Sequence, residues 1–409
     1  VSLKKAQVLA TIALVVAVLV LAGCRAAPKA PSPPTPQASP QPTPATTTAS
    51  QCPLSPPPAL GEDRPLFSTF DWKTDFSKHN VPYSEIISGG VGKDGIPPIY
   101  APKFESVHMA DTWLTDSDPV AFLQIGEQAH AYPLRILIWH EIVNDQFADV
   151  PLVVTYCPLC NTAVVFDARL PGKAYTFGVS GLLRNSDLIM WDHETESLWQ
   201  QGTGEAIVGG LTGQMLTFLP SSIVAWRDFK TSFPGGEVLS QNTGYSRGYG
   251  INPYVGYDSS SSPFLFTGKL DPRLAALERV IGITIEGKSV AYPFSVLAKL
   301  GVVDDKVGGK QIVVFYSPGT VSPLDKPDIE TSREVGSAAV FYAVLKGKTL
   351  TFEWNEGRIV DRETSSTWNI FGKATEGPLK GQKLEPVVHG THFWFAWAAF
   401  NSDTIIYEP

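Results

Sequence analysis

Apolar positions in this chain fall mostly in short runs, rich in β-branched and aromatic side chains and bounded by Gly, Pro, Asp or Asn. Runs of that kind read as β-strands, and they predict strands over residues 120–125, 152–156, 163–166, 173–179, 281–285, 312–316 and 349–354. Helical periodicity is rarer. It predicts a helix over 133–144 and a counterpart over 293–300, each with proline in its first turn, where a missing N–H costs nothing. The fold class that follows is mainly β, a β-rich α+β protein with few short helices.

The pattern also repeats. Ala131-Tyr132-Pro133 recurs as Ala291-Tyr292-Pro293, and Val153-Val154-Thr155-Tyr156 as Val313-Val314-Phe315-Tyr316, both 160 residues further on (131 to 291, 156 to 316). Asn161 to Phe166 then matches Gly336 to Phe341, and Asp192-His193-Glu194-Thr195 with Trp199 matches Asp361-Arg362-Glu363-Thr364 with Trp368. Trp226-Arg227-Asp228-Phe229 aligns with Trp397-Ala398-Ala399-Phe400. An internal duplication with two pseudo-equivalent lobes is expected, the first over residues 61–250 and a degenerate second over 251–409. A scaffold must be encoded twice and a single site need not be. Residues present in one copy only are therefore the candidates for chemistry: His140 (facing Leu300), Cys157, Cys160 and His193 (facing Arg362) in the first, and His389 (facing Phe218) and His392 (facing Ser221) in the second.

The N-terminus has a different pattern. Lys4-Lys5 precedes an apolar run from Ala6 that ends in Leu21-Ala22-Gly23-Cys24, the form of a bacterial lipoprotein signal over residues 1–23 with lipid on the Cys24 thiol. A retained transmembrane helix is the alternative, but the run is short for a span and abuts the cysteine. Residues 24–60 are Pro, Ala, Thr and Ser, which favour an extended tether over a core. Cys52 lies within it, with no nearby partner in sequence. The expected location is extracytoplasmic, with the membrane as partner through the N-terminal lipid. A net charge of −8 without a dense basic stripe argues against nucleic acid, and no glycine-rich phosphate loop opens a helix.

The sharpest chemical signal is Cys157-Pro158-Leu159-Cys160, which faces Ser317-Pro318-Gly319-Thr320 in the second copy. Thioredoxin-type pairs open a helix whose dipole activates the thiol. This one lies between two strands. Such a turn resembles a metal knuckle for a soft or borderline ion, and one copper or zinc ion is the cofactor expected. A single knuckle supplies two ligands, so His140 or His392 is expected to complete the set, with Glu141 beside it as a base. A redox-active dithiol and an inert disulfide are the other readings of an exported Cys-x-x-Cys. The belt Phe177 to Asp187 and Glu196 to Gln201 is dense in hydrogen-bonding groups. It offers Arg184 as an anion clamp and Asp187 or Glu141 as a proton acceptor, or else a network bracing loops. Gly244 to Tyr254 reads as a lid or as the link between lobes.

Three motifs, Trp139-His140-Glu141-Ile142-Val143-Asn144-Asp145, Val154-Thr155-Tyr156-Cys157-Pro158-Leu159-Cys160-Asn161 and Ser180-Gly181-Leu182-Leu183-Arg184-Asn185-Ser186-Asp187, resemble the bacterial and archaeal family catalogued as domain of unknown function 3179. The likeness spans roughly residues 85–409. It implies that the cysteine pair and the His140-Glu141 step are family features, and Arg rather than His at 193; it brings no activity. The reading that results is a membrane-tethered extracytoplasmic protein with a Cys/His metal or thiol-redox centre. Its competitor is a non-catalytic surface binding or adhesion module in which the cysteines only staple a loop.

Overall fold

Strand pairs that meet at the same register in both halves define the architecture. The computed structural model describes residues 63–147 and 149–409; Cys24, Cys52, the signal-like segment and the tether lie outside them. Residues 61–409 form one compact unit. It is β-rich, and its longest helices have seven residues.

Pro119–Ile125 pairs antiparallel with Gln128–Pro133, from Val120 opposite Pro133 to Ile125 opposite Gln128. Arg279–Ile285 and Lys288–Pro293 repeat this from Val280 opposite Pro293 to Ile285 opposite Lys288. The turn Glu286-Gly287 has φ of 49° and 71°, the left-handed pair that suits a two-residue hairpin loop. Each hairpin leads into a helix, Leu134–His140 or Phe294–Leu300, and then into a second hairpin. There Ile142 lies opposite Thr155 and Val302 opposite Phe315. Tyr132 donates its hydroxyl to Asp145 and Tyr292 to Asp305, both at 2.7 Å. The same Tyr–Asp hydrogen bond thus joins the corresponding strands in both halves.

Later elements correspond with a different spacing from the one the tryptophans suggest. Ser221–Ala225 pairs with Pro119–Ile125, as His389–Phe393 does with Arg279–Ile285. The helices Trp226–Ser232 and Trp394–Phe400 follow. Trp226 N donates to Asp118 O and Trp394 N to Glu278 O, each at 2.8 Å. Trp226 is thus equivalent to Trp394, not Trp397, which corrects the alignment above: His389 faces Ser221 and His392 faces Val224.

Two further expectations change. The first helix stops at His140, because Glu141 takes φ 57° and residues 142–147 are strand. Residues 173–179 and 349–354 are each split between a two-residue strand and the start of a longer one. The core runs across the halves: Val224, Trp226 and Phe229 of the first pack in one buried cluster with Val313, Phe315 and Phe341 of the second. Removing that much apolar area from water is the dominant favourable term in folding, and it holds the halves as one body. No helix among the described residues is long and apolar enough to cross a membrane.

Candidate metal centre

Two turns meet to build the site. The first joins Val150–Cys157 to Thr162–Asp167, which pair up to Cys157 opposite Thr162. It therefore carries Cys157-Pro158-Leu159-Cys160-Asn161 at a hairpin tip, as expected of a knuckle, and Asn161 accepts φ 50° there. The second joins Phe177–Arg184 to Asp187–Asp192 through Asn185 and Ser186, with φ of 52° and 65°. The matching hairpin of the second half, Phe352–Asn355 and Arg358–Asp361, has four residues in each strand against eight and six here. The extra length carries Asp187 to the cysteines.

Sγ of Cys157, Sγ of Cys160 and a carboxylate oxygen of Asp187 lie within 4.8 Å of one another. The cysteines are free thiols, 2 % and 1 % exposed. Both face the carbonyl of Ser186, at 3.7 and 3.5 Å. The turn is clamped from outside its own hairpin. Phe393 N donates to Cys160 O at 2.8 Å and Tyr257 Oη to Leu159 O at 2.9 Å. Ser186 Oγ donates to Phe264 O at 2.6 Å, and Trp139 Nε1 to Ile251 O at 3.1 Å. The segment read as lid or link touches the end of the preceding helix, through Ile251 at Trp139 and Tyr249 at His140.

Electrostatics in this pocket run against charge. Burial raises the Cys157 thiol and lifts Cys160 well above its ordinary value. Burial also raises Asp187 to about 6, against the hydrogen bonds from Gly202 N (2.8 Å) and Gln200 Nε2 (2.6 Å) that favour its carboxylate. Glu141 rises to about 8, through burial and then the charge of Asp187. Asp187 Oδ1, Gln200 Oε1 and Gln201 Oε1 are buried with no hydrogen-bond partner among the described residues. All three are acceptors. Of these the Asp187 carboxylate lies beside the two thiols, and an unpaired buried acceptor there leaves room for a positive charge. Arg279, the guanidinium that acts on Tyr156 next to Cys157, is committed to Asp258 (2.8 Å) and Ser322 (2.7 Å).

The histidines stand outside this cluster, which groups Cys157 and Cys160 with Asp187. His140 is fully buried, and both ring nitrogens are engaged, Nδ1 with Pro97 O and Nε2 with Tyr249 Oη, each at 2.7 Å. His392 Nδ1 meets Thr162 Oγ1 at 2.9 Å, and its ring shares a recess of about 10 Å³ with Asp187 and Gly202. Burial drives the His392 ring to about 3, so it is neutral. Arg184 is no free anion clamp: its Nε donates to Glu85 at 2.7 Å and its guanidinium lies over Phe400. His193 is exposed, stacked on Trp191 with ring centroids 4.2 Å apart, and hydrogen-bonded to Tyr100. Asp187 as a partner of the sulfurs was missed in the sequence, where it reads as a proton acceptor. The longer hairpin of the first half was the available signal.

The chain belongs to the family described as protein of unknown function DUF3179, whose profile matches residues 93–404. No curated protein and no solved structure matches it.

Proposed function

We propose that Cys157, Cys160 and Asp187 hold one metal ion, and that the protein works as a metal-binding domain tethered outside the cytoplasm. The observation that carries this reading is the buried convergence of two sulfurs and a carboxylate whose Oδ1 has no other partner. Two thiolates with a carboxylate are a mixed soft and hard donor set that suits Zn²⁺; Cu(I) would use the sulfurs alone. A divalent ion also reverses the electrostatics, since it favours the thiolates that burial alone opposes.

Three protein ligands leave a coordination position for an exogenous group, the arrangement of catalytic rather than closed structural zinc. Glu141, which burial keeps protonated at neutral pH without the ion, becomes the proton acceptor beside it once the ion's positive charge favours the carboxylate. Thiols this deep are poorly placed for exchange with another protein's disulfide, which weighs against the redox reading. The second half, which repeats the pairing register without the sulfurs, acts in this account as a duplicated scaffold that clamps the cysteine turn through Phe393.

The extracytoplasmic location rests on Leu21-Ala22-Gly23-Cys24 after the apolar run and on the Pro-rich tether, with lipid on Cys24 as the anchor. The acidic net charge supports a partner other than nucleic acid. The test is titration of the reduced full chain with Zn²⁺ and, separately, Cu(I). One equivalent of Zn²⁺ binding with release of thiol protons supports the proposal. Unchanged binding in the variant Cys157→Ser with Cys160→Ser would overturn it.

A further inference from the structure

A cleft of about 730 Å³ has walls from both halves and is lined by none of Cys157, Cys160 and Asp187. That is within the size of small-molecule sites, roughly 300–1,000 Å³. Lys373 and Lys383 line it from the second half and face each other directly across an antiparallel bridge. Like charges opposed in this way repel. Neither has a carboxylate within ion-pair distance among the described residues, and Lys383 Nζ donates to the neutral amide oxygen of Gln124. Partial desolvation against the cleft wall pushes the Lys383 ammonium below the ordinary lysine range, against the pull of Glu127, and Lys373 pushes it further down.

The equivalent bridge of the first half pairs Glu205 with Met215. The lysine pair is therefore not a demand of the scaffold. The opposite wall differs between halves as well. His130 lies between Glu237 Oε2 at 3.2 Å and Asp145 Oδ2 at 3.4 Å, and its ring stacks on Phe147 at 3.7 Å. At the equivalent positions the second half has Val290 and Ile405, which pair as His130 and Glu237 do. His130 thus fixes Glu237, whose side chain remains 63 % exposed, as an acceptor at the cleft.

We propose that this cleft binds a small hydroxylated anion, its phosphate or carboxylate group between Lys373 and Lys383 and its hydroxyl groups toward Glu237. An anion relieves the repulsion that the free protein carries, and ammonium groups bind phosphate and carboxylate as point charges. The site is independent of the cysteine cluster.

The experiment is calorimetric titration of the full chain with glycerol 3-phosphate and with malate, at physiological salt. Saturable binding of either probe is expected, and the probe that binds better identifies the anionic group. The variant Lys373→Glu with Lys383→Met recreates the charge pattern of the first half's bridge and should lose at least tenfold in affinity while its unfolding temperature is not lowered. Lys373→Met alone, as the second variant, should lose affinity in the same direction. Cys157→Ser with Cys160→Ser should leave the affinity unchanged, which separates this result from the metal reading. Absence of saturable binding by both probes up to about 10 mM, or affinity retained in the lysine variants, overturns the proposal.

Discussion

Glu141 and Gly301 end equivalent helices in the same way: their amides donate to Leu137 O at 2.7 Å and Leu297 O at 2.8 Å, and their φ values are 57° and 72°. Glycine adopts that conformation freely, whereas a residue with a Cβ is strained by about 1–2 kcal/mol. The first half nevertheless has a glutamate there, and its carboxyl is buried beside the cysteine cluster. Strain retained at a buried carboxyl points to a role beyond folding. Glu141→Gly should therefore stabilise the apo-protein by about 1 kcal/mol, read from its denaturation midpoint, while zinc affinity falls. A loss of stability would show that Glu141 is there to hold the fold.

Asp187→Asn keeps the side-chain shape and removes the charge. Zinc affinity should fall at least about tenfold, in line with the loss of one ligand's charge, with the far-ultraviolet dichroism spectrum unchanged. Equal affinity for zinc in this variant would place the ion on the sulfurs alone.

Asp192 accepts from Thr195 N (2.6 Å), Ser197 N (3.2 Å) and Trp199 Nε1 (2.9 Å). Asp361 accepts from Thr364 N (2.7 Å), Ser366 N (3.1 Å) and Trp368 Nε1 (2.9 Å). Each Asp→Ala change leaves buried donors unpaired and should cost about 2–4 kcal/mol. Urea unfolding should give similar losses for the two, with metal stoichiometry intact in both. A metal defect in Asp192→Ala alone would break the rule that shared residues are scaffold.

Local pattern explains what the sequence made legible. Strand runs, the cysteine turn between strands and the Tyr132/Tyr292 correspondence all depend on neighbours in the chain. Tertiary contacts decided the rest. The end of the first helix depends on the positive φ of Glu141, and the partners of His140 come from Pro97 and Tyr249, far away in sequence. The run Phe393-Trp394-Phe395-Ala396-Trp397 offers two tryptophans, and only the strand register selects Trp394 as the match of Trp226. Asp187 gained its place from the length of a hairpin, which shows in the spacing between the repeated motifs and not in the residue types.

His389 is buried, with Nδ1 against Val387 O at 2.7 Å and Nε2 against Ser222 Oγ at 2.9 Å, and burial lowers it from 6.5 to about 4. Above pH 6.5 the ring is neutral folded and unfolded. Below it the unfolded chain takes up a proton that the folded ring refuses, so stability falls with pH until about 4, where the folded state protonates as well. The loss is on the order of 3 kcal/mol from this residue. Denaturant titrations between pH 7 and 4 should show it, and His389→Gln should flatten the profile. An identical profile in the variant would contradict a neutral buried ring.

Elemental analysis of the full chain, purified under reducing conditions without added metal and then again after exposure to zinc, tests the central claim most directly. The account predicts about one metal ion per chain, zinc over copper, and none in the variant Cys157→Ser with Cys160→Ser. Wild type that stays metal-free after exposure to both zinc and Cu(I), or a double variant that keeps its stoichiometry, would contradict it.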